Sequence, residues 1–229
     1  MRAVLPSIEA TDQLVQDRSL HNDVYGLIVD AIHRGELRPG DRITEGEIAG
    51  RMGISRSPVR EAFARLIHDS LVVQSPRRGT FIAELDCGDI EDIQEVRSLL
   101  EGHAARLAAD RIAPDDVAAL HELVRTMADS ATGEAWVRVV QLNARFHEQV
   151  VRLTGNKVLL RAWSMLDPLA WLIPTMVPVG HRHNSHDLLV RHTELIDALA
   201  SGDPQRAEEA FRAHIRPHIH PTPMNEPSE

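Results

Sequence analysis

The chain has 229 residues, enough for two modest domains, a formal charge of −9 and a single cysteine, Cys87. One thiol excludes an internal disulfide framework and a clustered thiolate metal site, and it suits a reducing compartment. The opening residues lack a long apolar run, and the most apolar stretch, about Trp171 to Val179, is interrupted by Pro174 and Pro178, so we expect a cytoplasmic protein with no membrane association.

Residues 1–18 are polar and unpatterned and read as a flexible arm. A helix is predicted from Leu20 to Arg34, with Val24, Leu27, Ile28 and Ile32 at helical spacing and the Gly35 to Gly40 segment ending it. Thr44-Glu45-Gly46-Glu47 has the capping-box pattern, and Gly53 marks the end of the helix it opens. Ile54 crosses the turn. Ser57 as N-cap and Pro58 as first helical residue start the next helix, with Arg56 and Arg60 flanking its first turn, where a major-groove helix presents side chains to bases and phosphates. Phe63, Leu66 and Ile67 supply its apolar face. Two β-prone runs, Leu71 to Gln74 and Thr80 to Ile82, then surround Ser75-Pro76-Arg77-Arg78-Gly79 and read as a hairpin tipped by arginines. Residues 51–80 hold six arginines against Glu61 and Asp69, a local +4 within an acidic chain, so a basic face suited to DNA is available.

After a short linker at 84–88 the pattern is helical throughout. Ile90 to Ala109 places apolar residues at 90, 93, 96, 99, 100, 104 and 107. Further helices are predicted from Pro114 to about Ala128, after Gly133 to Leu153, and after Thr154-Gly155-Asn156 to about Pro174. The last two run from Asn184 or Ser185 to Ala200 and from the Gly202-Asp203-Pro204 turn to Ile215, where Pro217 stops the chain. This gives a bundle of about six helices over 88–216 and a disordered tail over 217–229, with four prolines. Within the bundle, Asn143 and His147 lie four apart on one helix face. A helical hairpin can bring His192 and His214 onto one inner surface. His181, His183 and His186 form a separate loop cluster read as solvated or rim residues.

The ordered series from Gly35-Glu36-Leu37-Arg38-Pro39-Gly40-Asp41-Arg42 through Ser55-Arg56-Ser57-Pro58-Val59-Arg60-Glu61 to Arg77-Arg78-Gly79 resembles the winged-helix domain of GntR-family bacterial transcription regulators. That resemblance covers about Leu20 to Ile82, within a first domain expected over 19–84. It implies DNA contact by Arg56, Ser57, Arg60, Arg78 and Gly79, and Arg77 joins them as the other arginine of the hairpin tip. Gly46 departs from relatives that carry a basic residue there. The remainder resembles the FCD ligand-binding domain of the FadR-type branch, on Asn143-Ala144-Arg145-Phe146-His147, His192 and His214. That resemblance implies a divalent metal, zinc or nickel, held by Asn143, His147, His192 and His214. It also implies that Arg97 faces the effector pocket, where a guanidinium suits a carboxylate, although Arg97 and Glu101 are equally spaced for a helix-surface salt bridge.

The fold expected is therefore mainly α: a winged helix-turn-helix of three helices plus a hairpin, followed by the helical bundle. The function expected is a homodimeric regulator binding a pseudo-palindromic double-stranded operator and responding to a small organic acid. A metal-dependent hydrolase is the competing class, since three histidines with open positions can activate water. Against it, His147-Glu148 lacks the second histidine of the helical zinc-protease motif. A bundle whose histidines are structural is the third reading.

Overall fold

The computed structural model describes residues 20–131, 136–176 and 185–216. The predicted arm and tail, and His181 and His183, lie outside the described residues.

The first domain is built on α1 (Leu20–His33), α2 (Glu45–Met52) and α3 (Arg56–His68). Val24, Ile28 and Ile32 of α1, Ile48 of α2 and Val59, Phe63 and Leu66 of α3 share one core. Burying each such side chain contributes about 1.5–3 kcal/mol. Thr44 caps α2 by accepting from the Glu47 amide, and Gly53 follows it at φ 65°, a conformation any Cβ would strain. The start of α3 differs from the sequence expectation. Ser55 is the extended N-cap, without a side-chain cap bond, and Pro58 is the third helical residue. Proline is tolerated there because the first four helical N–H groups have no partner in the helix. Ile67 is 38% exposed and stays out of the core.

The hairpin consists of β2 (Val72–Ser75) and β3 (Gly79–Ile82), and β3 also pairs antiparallel with β1 (Arg42–Ile43), giving the order β1-β3-β2. Two residues are too few to show the alternation that identifies a strand, so β1 was not foreseen.

The second domain runs from α4 (Cys87–Ala109) through α5 (Pro114–Ser130), α6 (Trp136–Leu153), α7 (Lys157–Ser164), α8 (Asp167–Met176), α9 (Ser185–Ala200) and α10 (Pro204–Ile215). Seven helices among the described residues replace the expected six. Helix α4 starts earlier than predicted because Asp86 and Asp89 form a reciprocal capping box, at 2.8 and 3.0 Å. The segment expected as one helix to Pro174 is α7 and α8. Pro168 has no N–H to donate to the Ser164 carbonyl, so α7 does not continue through it; the chain turns between Ser164 and Asp167, and Pro168 sits in the first turn of α8, where no helical N–H bond is needed.

Helix α4 also shows a face that its apolar spacing did not indicate. Arg97, Ser98, Glu101 and Gly102 point inward with Ile93, Ala104, Ala105 and Ala108, while Val96 and Leu99 are more than 40% exposed. In the core of the bundle the rings of Phe146 and Phe211 lie parallel, 6.4 Å apart.

Helices α6 and α8 pack against α1 and join the domains. Leu172 of α8 is buried among the residues of the winged-helix core, and Gln141 of α6 donates to Asp30 Oδ1 of α1 at 3.0 Å. Burial pushes the Asp30 carboxyl upward, against the opposing effects of Arg34 and of the bond from Gln141. Leu172→Ala should cost about 2–5 kcal/mol through the cavity it leaves in the first domain. Calorimetric unfolding should then show the two domains melting further apart than in the parent; a single unshifted transition would mean Leu172 does not couple them.

Candidate functional site

Two constellations carry chemistry. On the first domain, Arg56, Ser57 and Arg60 lie exposed along the first turns of α3, while Val59, Ala62, Phe63 and Leu66 face the core. The far end of α3 is fixed to α1. Tyr25 donates to Asp69 Oδ2 at 2.8 Å, and the Arg65 guanidinium lies 3.9 Å from the Tyr25 ring centroid and donates to Asn22 Oδ1 at 3.0 Å. Burial, then the bond to Asp69, pushes the Tyr25 hydroxyl's pKa up, so it remains a donor at physiological pH. Arg60 reaches Glu45 of α2 at 3.4 Å but remains 71% exposed, a pair worth little that leaves the guanidinium available.

The hairpin supplies Arg77, Arg78 and Gly79. Arg78 N–H bonds Ser75 O at 3.1 Å, closing a turn with Pro76 second and Arg77 third, and Arg77 has φ 64°. A type II turn requires positive φ at that position, where glycine is the ordinary choice. An arginine there projects its charge from the tip. Both arginines are exposed, and the Arg78 guanidinium lies 5.8 Å from the Phe81 ring centroid.

The second constellation lies inside the bundle. One nitrogen from each of His147, His192 and His214 falls within 4.8 Å of the others. They come from α6, α9 and α10, which packing brings together across 67 residues of sequence. Asn143, one turn before His147 on α6, brings Oδ1 to 2.9 Å from His192 Nε2. His192 Nδ1 lies 2.8 Å from Leu188 O. A carbonyl only accepts, so Nδ1 carries a proton and Nε2 is the ring atom turned toward Asn143. In the tautomer protonated at Nδ1 alone, Nε2 and Asn143 Oδ1 are both acceptors, a pair that a cation between them satisfies. Burial first, then His192, His147, Arg191 and Arg97, holds the pKa of His214 well below the ordinary histidine range, so its ring is neutral at pH 7. Three imidazoles around a side-chain oxygen fit the donor preferences of a divalent transition ion.

The residue that sequence reasoning missed as part of this site is Glu101. Its carboxylate is 1% exposed. Oε1 accepts from Arg97 Nε at 3.1 Å, Arg97 Nη2 at 2.8 Å and Trp163 Nε1 at 2.8 Å. Oε2 lies 2.6 Å from His147 Nδ1, a contact too bent for a regular hydrogen bond. Burial alone would raise the carboxyl, but Arg97, His147 and the bond from Trp163 outweigh it and bring its pKa down to about 2. An ionised Glu101 places the proton of His147 on Nδ1 and leaves Nε2 for a ligand, an arrangement known for carboxylate-supported metal histidines. Arg97 does pair with Glu101 at i+4, yet inside the protein rather than on the helix surface. The signal was the Arg97/Glu101 spacing itself; its burial was invisible without the packing of α6 and α7.

The described residues contain no helix long and apolar enough to cross a membrane. Residues 20–82 match the family described as bacterial regulatory proteins, gntR family, and residues 92–217 match the FCD domain. The chain is 31% identical over 218 residues to a protein named probable D-xylose utilization operon transcriptional repressor from Paenarthrobacter nicotinovorans, covering 93% of this chain and 92% of that one. The crystal structure of a putative transcriptional regulator GntR from Rhodococcus sp. RHA1 superposes with a TM-score of 0.72 at 27% identity, covering 86% of this chain and 94% of that one. E. coli McbR/YncC has the same fold, with a TM-score of 0.71 at 21% identity, covering 87% and 95%.

The buried pair sets a pH dependence. Because the folded carboxyl is depressed from 4.5 to about 2, its stabilisation is complete above pH 4.5 and lost as pH falls through 2. Glu101→Gln strands Arg97 as a buried charge and should cost about 3–5 kcal/mol at pH 7. Urea midpoints of parent and variant should converge as pH falls below 4.5; parallel curves would show that Glu101 carries no charge in the folded protein.

Proposed function

The chain belongs to the GntR family of bacterial regulatory proteins and carries an FCD domain, and on that premise we propose that its helical domain is a metal-dependent sensor of a small organic acid. The protein is a DNA-binding transcription regulator rather than an enzyme, as its family and its relatives are. The observation that carries the sensor reading is the meeting of three histidine nitrogens within 4.8 Å beside the Asn143 amide. His147, His192, His214 and Asn143 would hold a zinc or nickel ion, which supplies an acceptor position for a carboxylate oxygen. Asn143 contributes a neutral oxygen where an aspartate would contribute an anion, which weakens the attraction for the ion.

Arg97 fits the effector side of the pocket. Two of its five donors are spent on Glu101, which also touches His147, so Arg97 is one residue removed from the histidine centre and has donors to spare. A carboxylate touching both the ion and Arg97 makes metal and effector raise each other's affinity. Two copies acting together suit a pseudo-palindromic operator. The exposed Val96 and Leu99 on α4, and Val158 and Met165 at and just after α7, supply apolar surface for that association.

Calorimetric titration of zinc or nickel into metal-stripped protein tests the centre. His192→Ala should abolish binding together with any response to added carboxylic acids, Asn143→Asp should bind at least as tightly as the parent, and Arg97→Ala should bind metal while losing the acid response. Undiminished metal binding by His192→Ala would remove the centre as described. On the DNA side, Arg56→Ala and Arg60→Ala should each cost about 1–3 kcal/mol on a selected operator if they read bases. Parent-like binding by both at matched salt would show that α3 is not the reading helix.

A further inference from the structure

The wing carries a basic cleft that the recognition helix does not account for. Between β1, the start of β3 and the hairpin turn lies a surface cleft of about 450 Å³, lined by Arg42, Gln74, Arg77, Arg78 and Gly79 with their neighbours. All three arginines are exposed, and none forms a salt bridge to an acidic group among the described residues. Arg42 is separated from the wing tip by more than thirty residues in sequence; only the pairing of β1 with β3 puts it there. In that register Arg42 stands opposite Phe81, so their side chains share a face of the sheet. The Arg78 guanidinium is held over the same Phe81 ring.

The position of Arg42 is constrained by Gly79. At φ 116° Gly79 adopts a backbone that side chains rarely tolerate, and a Cβ there would come within 2.8 Å of Arg42 Nε. The absence of that Cβ lets the guanidinium lie against the wing backbone. Like charges gathered in one concavity without an acidic partner repel one another, and an anion relieves that repulsion. Guanidinium forks match the oxygens of a phosphate, and backbone phosphates are the anions that a wing meets when the helix beside it enters the major groove.

We propose that this cleft receives a backbone phosphate of DNA, with Arg42 and Arg78 as its two arms and Arg77 at its mouth. Arg42 is then a DNA-contacting residue in its own right, adding sequence-independent affinity rather than base selectivity. The proposal rests on the DNA-binding role of the family and adds a contact to it.

The test uses the full chain and duplex DNA of random sequence, with affinity measured over a range of salt. Arg42→Gln should weaken binding and reduce the slope of log affinity against log salt by about one unit. Arg42→Lys should keep most of that slope, because it keeps the charge. Arg125→Gln, on the exposed surface of α5, should leave both quantities unchanged. A measurement independent of how the variants fold is the Arg42 Nε–H resonance of the parent protein, identified by its loss in Arg42→Lys, which should shift when duplex is added at constant salt. An unchanged slope in Arg42→Gln, whether or not affinity falls, would overturn the proposal, as would an unmoved resonance in the presence of saturating duplex. An equal shift with inorganic phosphate alone would assign the cleft to free anions and overturn its DNA role. Failure of the family reading is distinguishable, since the parent would then show no salt-dependent binding to any duplex.

Discussion

The buried carboxylate of Glu101 is the constraint on which the interior of the helical domain depends. An ionised group with 1% exposure survives only where charge and hydrogen bonds replace water, and α4, α6 and α7 each supply part of that replacement through Arg97, His147 and Trp163. Removing any one partner changes the others. With Glu101 neutral, Arg97 becomes an unpaired buried cation and the ring of His147 loses what selects its tautomer. The polar stripe on the inner face of α4 is therefore part of the pocket, and the two apolar residues it displaces, Val96 and Leu99, face solvent instead.

That constraint extends toward the DNA through rigid elements. Helix α6 holds Asn143 and His147 for the histidine centre and, two residues before Asn143, Gln141 for the bond to Asp30. Helix α8 packs Leu172 into the core that also holds the recognition helix. A shift of α6 or α8 on ligand binding therefore presses on α1, and α1 is tied to the end of α3 by Tyr25, Arg65 and Asp69. The route from the helical domain to α3 consists of packed side chains and hydrogen bonds from Gln141, Tyr25 and Arg65, with no long loop interposed among the described contacts.

The parts proposed to face DNA follow a different logic, in which exposure is the point. Arg56 and Arg60 project because Val59, Phe63 and Leu66 occupy the opposite side of the helix, and Arg77 projects because a turn fixes its backbone at positive φ. An acidic chain can thus carry a local positive surface without cost to its core.

Much of this was fixed by local sequence. The Thr44 cap, the Gly53 ending, the Pro76-centred hairpin and the spacing of Val24, Ile28 and Ile32 are short-range effects of hydrogen-bond supply, backbone sterics and helical period, so they were legible before any packing was known. The i, i+4 placement of Asn143 and His147 is of the same kind. Other features needed the tertiary structure. Strand β1 exists because β3 lies beside it, and Arg42 meets the wing only through that pairing. The break between α7 and α8 was readable at Pro168 but passed over, because the surrounding residues keep an apolar pattern. The burial of Arg97 and Glu101 contradicts the preference of charged residues for water, and no single helix can reveal that the compensating groups sit on α6 and α7. Sequence by itself determined where most of the helices and the hairpin form and which chemistry they bear, because those depend on neighbours a few residues away; strand β1, the partners of Glu101, the meeting of His147 with His192 and His214, and the face that α4 buries were decided by packing between segments that the chain keeps far apart.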